Sequence, residues 1–229
     1  MFTKIIDYFN SNYDKYVCII ENLKLTKLEV EFLGERSVAF KILPSNILMA
    51  AGDLSELENY LSEDFSASVI FTPNEDIAKV IAGKKKLSVN PCKQYFYNRY
   101  NIDNSGVVVK KLEPTFENAK IVSENYTLNY SIDEIIKLLQ NRFILGGFVD
   151  GKLCGFVGMH EERSVGLLEV LKDFRRKGYG SILLKSAVNY FLDNNFAAFS
   201  HVRSNNIASI KLHEEIGARL FDEEVYWIF

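Results

Sequence analysis

The chain of 229 residues is predicted to fold as an α+β protein in which a mixed central sheet is flanked by helices. Three observations predict this class. Short β-type runs alternate with amphipathic helical segments throughout the chain. The pair Asp150-Gly151 separates two alternating apolar runs, which is typical of a β-hairpin. A basic, glycine-rich turn at 175–180 follows a strand and begins a helix.

A polar, turn-rich stretch at 98–105 predicts a boundary between a smaller N-terminal α/β domain over 1–104 and a second domain over 105–229. In the first domain the apolar pattern predicts a helix over 1–22, strands over 28–33 and 37–43, a helix over 54–62 capped by Asp53, a strand over 67–71, and a helix through 77–81 that stops at Gly83. The run Lys84-Lys85-Lys86 indicates a solvated helix end, with a phosphate or acidic partner as the alternative.

The turn and helix-end signals are clearer in the second domain. Its pattern predicts a strand over 106–112, one or two helices over 115–142, strands over 143–149, 152–159 and 165–171, a helix over 181–192, a strand over 197–202, a helix over 207–216 ended by Gly217, and strand-like residues at 220 and 225–229.

Composition excludes several classes of function. Apolar residues make up 48% and charged residues 25%, which is ordinary for a globular protein and excludes general disorder. The net charge of −3 gives no reason to expect a nucleic acid or an anionic membrane as partner. No apolar run approaches the ~20 residues of a membrane span, and the first residues lack a signal-peptide core. Cys18, Cys92 and Cys154 are widely spaced, which argues against a disulfide framework and predicts a cytoplasmic protein.

The segment from Arg175 to Gly180 carries the chemistry. Glycine lets the backbone approach an anion closely, and the amides at a helix N-terminus add partial positive charge. Arg175, Arg176 and Lys177 reinforce it, so a diphosphate is the natural ligand. The alternative is a tight turn with solvated basic side chains. No group of His, Cys and Glu residues has the spacing of metal ligands.

Two motifs in this order resemble the GNAT N-acetyltransferase superfamily. Arg175-x-x-Gly178-x-Gly180 after a strand resembles that family's pyrophosphate loop, and Asn206, Ser209, His213 and Gly217 keep the spacing of a second family pattern. The resemblance covers 106–229. The string FAAFSHVRSNN is further similar to the glycine N-acyltransferase-like branch, and 1–104 is interpreted as a degenerate half-copy of the fold.

The resemblance implies acetyl-CoA as acyl donor and an acyl-CoA-dependent N-acyltransferase that needs no metal and forms no covalent enzyme intermediate. A backbone N–H of the strand would bind the thioester oxygen. The residues implied in cofactor binding are Val170, Leu171, Arg175, Arg176, Lys177, Gly178, Tyr179, Gly180, Ser181, Asn206 and Ser209.

The sequence departs from the family at three positions. Lys172 stands where a proline is usual, Arg176 where a glycine is common, and His213 replaces the Tyr that commonly protonates the departing thiolate. His213 is therefore either the acid or a packed helix residue. For Asn206 the alternative is a helix N-terminal residue.

A base is needed because a lysine-like amine is neutral in about one molecule in 10³ at pH 7, a cost of about 4–5 kcal/mol. Glu162 is the preferred candidate, on the strand face it would share with Ser164. Its alternative is a hairpin-tip carboxylate in water. Glu169 is the second choice, and Glu161 or a water chain also stays open.

The function predicted is transfer of an acetyl group to a primary amine by direct attack. A small amine or amino acid is the expected acceptor, a protein acceptor is the alternative, and monomer and homodimer both remain open. The competing hypothesis is a non-catalytic CoA-binding or protein-interaction module that kept the fold, suggested by the missing Tyr.

Overall fold

The computed structural model describes residues 2–103, 106–126, 131–141 and 143–229. Up to residue 103 the elements are α1 Thr3–Asn10, α2 Tyr13–Leu23, β1 Leu28–Leu33, β2 Ser37–Ile42, β3 Ile47–Gly52, α3 Leu54–Ser62, β4 Ile70–Thr72, α4 Glu75–Lys85 and β5 Val89–Phe96. From residue 106 onwards they are β6 Val108–Lys111, α5 Phe116–Asn125, α6 Ile132–Asn141, β7 Ile144–Val149, β8 Lys152–Met159, β9 Val165–Val170, α7 Tyr179–Asp193, β10 Phe199–Arg203, α8 Ile207–Glu215 and β11 Arg219–Ile228.

The strands form a seven-stranded sheet of order β1-β2-β3-β4-β11-β5-β10 and a four-stranded sheet of order β6-β7-β8-β9. The pair β3–β4 is parallel, and the other described pairs are antiparallel. Helices cover both faces of the larger sheet, so the predicted α+β class with a mixed, helix-flanked sheet is confirmed.

The two parts of the chain repeat one order of elements. The first part, residues 2–103, runs through two helices, three strands, a helix, a strand, a helix and a strand. The second part, residues 106–229, follows the same order after its additional first strand, β6. This repetition supports the interpretation of the first part as a half-copy of the second. We call the two parts the first half and the second half below.

The halves exchange their last strands. Strand β5 ends the first half but lies between β10 and β11, and β11 ends the second half but lies between β4 and β5. The two strands pair antiparallel from Val89–Ile228 to Phe96–Arg219, with an irregularity between Leu220 and Glu224. Each half therefore completes the other's sheet. Residues 104 and 105 lie outside the described residues, and the domain division there stays a prediction.

Helices of both halves cover the larger sheet, and they lie on its two opposite faces. In β5, Cys92 belongs to the core under α1 and α2, whereas Tyr95 belongs to the core under α7 and α8. Because odd and even residues of a strand face opposite ways, α2 and α8 lie on opposite faces. Leu57 and Ile77 form a third core under α3 and α4, and α5 and α6 pack on the smaller sheet through Leu139.

Several predicted element boundaries are wrong in detail. The helix predicted over 1–22 is two helices, because the backbone of Asn12 is extended away from helical geometry at φ −136° and ψ 61°. Gly83 does not end α4, which continues to Lys85 and ends where Lys86 adopts a left-handed φ of 55°. The Asp150-Gly151 turn is confirmed, with φ values of 50° and 77°.

The sequence pattern also missed two strands. Strand β3 has the sequence ILMAAG, which is buried almost throughout and therefore shows no alternation. Strand β5 contains Pro91, which normally argues against a strand inside a sheet. Pro91 lies beyond the last β10 pair, Arg203–Cys92, so its missing N–H breaks no bond with β10.

The lysine run at the end of α4 packs on the end of another helix. Lys84 Nζ donates to the carbonyl oxygen of Leu61 at 2.9 Å, at the C-terminal end of α3. Lys85 Nζ lies 2.7 Å from Asp64 Oδ1. Lys84 and Lys85 therefore bind a helix-end carbonyl oxygen and a carboxylate of the same chain, which accounts for the lysine run.

Candidate functional site

The site is built where the two sheets meet. Strand β9 ends the smaller sheet, β10 is the edge of the larger one, and α7 connects them. Such a crossover places its two strands side by side and parallel. Ser200 Oγ on β10 donates to the carbonyl oxygen of Val165 on β9 at 2.8 Å. Within the described residues β9 and β10 form no ladder, so beyond this side-chain contact no backbone hydrogen bond holds the two strands together. We call the space between these two unpaired strands the slot.

The turn between β9 and α7 presents a row of amides. Arg176 and Gly178 have left-handed φ values of 61° and 80°, and Gly178 precedes the first residue of α7. In the described part of the chain, the backbone N–H groups of 176–180 have no acceptor, and α7 has no side-chain cap. Alternating left-handed residues turn successive N–H groups toward one point, which makes an anion-binding concavity at a helix N-terminus.

The basic side chains of the turn have different tasks. Arg175 is tied to β9, with Nε donating to the carbonyl oxygen of Val170 at 2.9 Å and Nη2 to Glu169 Oε1 at 2.8 Å. Lys177 Nζ donates to the carbonyl oxygen of Asp173 at 3.2 Å. Arg176 is exposed and pairs with no carboxylate among the described residues. Arg176 and Lys177 therefore leave exposed positive charge at the turn, while Arg175 is held against β9.

Two further predicted loop residues begin α7. Tyr179 is half-buried, with its ring 6.2 Å from that of Phe174. The Ser181 amide donates to the Gly178 carbonyl oxygen at 3.1 Å. A Cβ at Gly180 would lie 3.5 Å from both Val170 Cγ2 and Leu212 Cδ2. Gly180 therefore marks the corner where α7, β9 and α8 meet.

Strand β9 aims one amide into the slot. The Leu171 amide donates to the Cys154 carbonyl oxygen of β8 at 2.9 Å, so the sheet already uses it. Val170 is the register partner of Gly155, and the bond at the next residue makes this a non-hydrogen-bonded pair. The Val170 N–H therefore points away from β8, toward β10. Of the two predicted donors, the geometry favours Val170.

A bulge in β9 accompanies this arrangement. The register with β8 shifts between Phe156 and Gly158, and Leu167 takes a left-handed φ of 52°. The Leu167 amide lies 3.4 Å from His160 Nε2. The His160 ring rests on Gly166, where a Cβ would approach Nε2 to 2.1 Å. His160 therefore packs against the strand.

The second motif forms the start of α8. Asn206 Oδ1 accepts a hydrogen bond from the Ser209 amide at 3.1 Å, which makes Asn206 the helix N-cap. Ser209 in turn offers its carbonyl oxygen to His213 Nδ1 at 2.7 Å. Cofactor contacts of Asn206 and Ser209 stay predictions.

His213 is a buried, neutral side chain. It is 4% exposed and lies against the rings of Tyr95 and Tyr97, with centroids 4.8 and 5.9 Å away. A carbonyl oxygen only accepts, so Nδ1 carries the proton and Nε2 is left as an acceptor. Burial lowers the pKa of His213 further below neutrality. This geometry favours the packed alternative over the acid, and the acid role stays a prediction.

Glu162 is enclosed by the first half. Only 6% of Glu162 is exposed, so the alternative of a hairpin-tip carboxylate in water is wrong. Ser164 Oγ donates to Glu162 Oε1 at 2.5 Å, and Asn22 Nδ2 of α2 donates to the Glu162 carbonyl oxygen at 2.9 Å. Among the described residues its carboxylate has no cationic partner. Glu169, by contrast, is neutralised by Arg175.

His201 has a structural role, in agreement with its place in a strand. Trp227 Nε1 donates to His201 Nδ1 at 3.2 Å, so Nε2 carries the proton and donates to Gln94 Oε1 at 2.9 Å. Burial lowers the pKa of His201 to about 3. The ring stays neutral and joins β10 to both exchanged strands.

The sequence did not indicate Tyr95 and Tyr97 as site residues, although both lie beside His213. Tyr97 Oη donates to Ser200 Oγ at 2.5 Å at the closed end of the slot. Both tyrosines come from the first half through β5. The run QYFY in a proline-containing segment carried no signal that this strand enters the second half's sheet.

Comparisons with known proteins agree with this architecture. Residues 109–218 match the model of the acetyltransferase (GNAT) family. Residues 109–218 therefore form a GNAT acetyltransferase domain, and this range contains the crossover and the turn at 176–180, whose row of amides we call the cradle. A search of curated proteins finds no match.

Solved structures share the fold at low identity. A Drosophila protein solved by a structural genomics consortium superposes with a TM-score of 0.69 and 13% identity, over 98% of this chain and 93% of that one. A GCN5-related N-acetyltransferase from Kribbella flavida gives a TM-score of 0.61 and 10% identity over 94% of each chain. A tandem GNAT protein from the clavulanic acid biosynthesis pathway gives 0.50 and 12%, over 98% and 94%. These likenesses extend over both halves.

The part of the chain that the structure describes contains neither a metal-binding cluster nor a membrane-spanning helix. No group of three or more His, Cys, Asp or Glu side chains in those residues is arranged to hold a metal ion. Within the same residues, no helix has both the length and the apolar character to cross a membrane.

Proposed function

We propose that the protein is an N-acyltransferase that moves an acetyl group from acetyl-CoA to a primary amine by direct attack. The observation that carries the proposal is the row of amides at 176–180, without acceptors in the described chain, at the mouth of the slot between β9 and β10. A diphosphate satisfies such a row of donors at a helix N-terminus, and the thioester arm would enter between the two unpaired strands.

The donor would be held by three features. The amides of 176–180 would bind the diphosphate, with charge from Arg176 and Lys177. The Val170 N–H would bind the carbonyl oxygen of the thioester, where negative charge develops during attack. An aimed backbone donor of this kind contributes roughly 3–4 kcal/mol in comparable sites.

Glu162 is the proposed base. Its carboxylate has no cationic partner among the described residues and is oriented by Ser164, whereas the Glu169 carboxylate is already engaged by Arg175. Removal of one proton from the ammonium is required before attack, because only the neutral amine has a lone pair. The first half would contribute by holding the Glu162 turn through Asn22.

The proposed location is the cytoplasm. Cys18, Cys92 and Cys154 are all buried and free, which suits a reducing compartment. Burial raises the pKa of Cys92 to about 12, so its thiol is unreactive.

The test is release of CoA from acetyl-CoA in the presence of an amine panel: an aliphatic diamine, amino acids, an aminoglycoside and a peptide with a free N-terminus. At least one amine is expected to accelerate release. Glu162→Gln should slow that release and shift the pH profile, while the exposed Glu124→Gln serves as control.

The outcomes separate the two hypotheses. An unaltered profile in Glu162→Gln would reject Glu162 as the base. If acetyl-CoA binds but no amine accelerates release, the non-catalytic CoA-binding module replaces the enzyme.

A further inference from the structure

Arg175 ties the turn before α7 to a carboxylate on β9. Its Nη2 donates to Glu169 Oε1 at 2.8 Å, and its Nε donates to the Val170 carbonyl oxygen at 2.9 Å. Solvent reaches both side chains of the ion pair, with 57% of Arg175 and 24% of Glu169 exposed. Because a partly exposed ion pair contributes little to stability, the guanidinium can change its partner at small cost.

Arg175 is also the residue from which the cradle starts. It directly precedes residue 176, where the row of backbone N–H groups without acceptors in the described chain begins. Its Nη1 has no partner among the described residues. A diphosphate on these amides would carry more negative charge than one carboxylate, and a planar guanidinium fits two phosphate oxygens at once. Glu169 and a bound diphosphate would therefore compete for Arg175.

Glu169 lies on the face of β9 that is turned away from α7. Its register partner on β8 is Phe156, which belongs to the core under α5 and α6. The next residue, Val170, packs against the core under α7 and α8, because successive residues of a strand face opposite ways. A molecule that approaches Val170 from the side away from α7 therefore meets the Glu169 carboxylate.

We propose that Arg175 is a latch on Glu169: a diphosphate in the cradle draws the guanidinium away, and the uncovered carboxylate then binds a cationic group of the acceptor. The inference rests on the proposed function, in which the cradle holds acetyl-CoA and the amine attacks a thioester beside the Val170 N–H. Glu162 is the base for the reacting amine, so Glu169 is available for a second positive charge. The acceptor class is therefore an amine with two cationic groups, such as an aliphatic diamine.

The latch makes the two substrates bind cooperatively. Before the diphosphate binds, Arg175 occupies the carboxylate and repels a cationic acceptor. After it binds, Glu169 would present an unpaired negative charge on the acceptor's side of the strand. By linkage, acetyl-CoA and a cationic acceptor raise each other's affinity by the same factor.

A double-mutant cycle measures the competition for Arg175. Calorimetry with CoA should show about three- to fivefold tighter binding in Glu169→Gln, because the amide no longer holds the guanidinium. Arg175→Gln should bind CoA about tenfold more weakly, because a charged donor to the diphosphate is lost. In the Arg175→Gln background, Glu169→Gln should change the affinity by about twofold at most.

Asp173→Asn is the charge-matched control for this cycle. Asp173 is an exposed carboxylate of the same turn, and it forms no ion pair with Arg175 in the described chain. Its removal should change the CoA affinity by the same small factor with or without Arg175. Equal gains from Glu169→Gln in both backgrounds would show simple charge repulsion and overturn the latch. A loss of CoA affinity in Glu169→Gln would overturn it as well.

Binding of a diamine tests the acceptor side without turnover. The probes are diaminobutane and butylamine, titrated with and without saturating desulfo-CoA, which lacks the sulfur and carries no acyl group. Wild type should bind diaminobutane about tenfold more tightly in the presence of desulfo-CoA. Arg175→Gln should bind diaminobutane tightly in both conditions, and Glu169→Gln should bind it weakly in both. Butylamine affinity should not depend on Glu169.

The diamine titration and the assay of CoA release can fail separately. Diaminobutane binding that does not respond to desulfo-CoA, or no diaminobutane binding at all, overturns the assignment of Glu169 to a second cationic group. If the mutant cycle and the diamine linkage hold but no amine accelerates release of CoA, the proposed function fails while the latch is supported.

Discussion

The two halves of the molecule share an order of elements but differ at the crossover that connects β3 to β4 in the first half and β9 to β10 in the second half. In the first half, β3 and β4 pair directly, with Leu48 opposite Ile70 and Met49 opposite Phe71. In the second half, the corresponding β9 and β10 form no ladder beyond the Ser200–Val165 contact within the described residues. A slot exists in one half only, although the plan of the chain is the same in both.

The helices of the two crossovers, α3 and α7, also differ at their N-termini. In the first half the N-terminus of α3 is closed by Asp53, whose Oδ1 accepts from the Ser55 amide at 2.9 Å and whose Oδ2 lies 2.7 Å from Arg36 Nη2. The N-terminus of α7 has glycine in that place and no cap. A carboxylate of the chain itself occupies the anion position of α3, so the residue at the helix start, more than the fold, decides whether a helix N-terminus is open to an anion.

The largest expected effect concerns the pairing of the exchanged strands β5 and β11, which we call the joint between the halves. Trp227 on β11 is the register partner of Phe71 on β4 and of Asn90 on β5. It therefore lies between the two strands that β11 joins. Trp227→Ala should lower the free energy of unfolding by about 3 kcal/mol or more. Urea denaturation followed by circular dichroism should show a single transition at a lower midpoint.

Phe116→Ala is the control for this change, because that aromatic side chain is 64% exposed and should matter little. Hydrogen exchange in β1–β2 and in β7–β8 should accelerate together in Trp227→Ala. Loss of protection in one half alone would show that the halves are independent and that the exchanged strands do not couple them.

The next effect concerns the cradle. Gly178→Asp adds a negative side chain at a position with φ 80° beside the amides, and we expect a loss of about 100-fold in acetyl-CoA affinity. Gly151→Asp is a matched control, since Gly151 also has a positive φ, 77°, and open space around it. Equal affinities of the two variants for acetyl-CoA, measured by calorimetry, would show that the amides of 176–180 do not bind its diphosphate.

A third prediction uses pH to probe the joint. The His201 pKa of about 3 in the folded protein lies below that of an unfolded histidine, so the unfolded state binds the extra proton. Stability is fully present above about pH 6.5 and is lost as the pH falls toward 3. By pH 5 this residue should account for a loss of about 2 kcal/mol in the free energy of unfolding.

His213, whose pKa is also lowered, adds a second contribution of the same sign. His201→Gln should therefore flatten the decline between pH 7 and pH 5 without abolishing it. Denaturant titrations that give wild type and His201→Gln the same pH slope would contradict a neutral His201 in the folded protein.

The smallest effects compare the two helix caps. Asp53→Ala and Asn206→Ala each remove an N-cap side chain and should each cost about 1 kcal/mol in unfolding free energy. Only Asn206→Ala should weaken acetyl-CoA binding, by several-fold. A change in acetyl-CoA affinity caused by Asp53→Ala would mean that the first half also contacts the cofactor.

The second half could be predicted from the sequence because its signals are local. The Asp150-Gly151 turn and the Arg175–Gly180 loop each act within a few residues, so spacing alone locates them. The entry of β5 into the second half's sheet depends on pairing with residues more than a hundred positions away, such as Ser200 with Tyr95. No local pattern encodes such pairing, and Pro91 argued against it.

The same distinction explains the candidate site. The cradle is a property of one loop. Arg176 and Gly178 were both predicted to bind the cofactor, although the left-handed φ of Arg176 was not expected. The burial of Glu162 depends on α2, and the neutrality of His213 depends on burial beside Tyr95 and its bond to Ser209. These surroundings come from three-dimensional packing between the halves, so a single sequence does not show them.

Calorimetric titration of the whole chain with acetyl-CoA tests the central claim, that one of two similarly built halves binds the cofactor. The account predicts one site per chain, nearly abolished by Gly178→Asp and left intact by Asp53→Ala. Two sites per chain, or a single site that survives Gly178→Asp and is lost with Asp53→Ala, would contradict it.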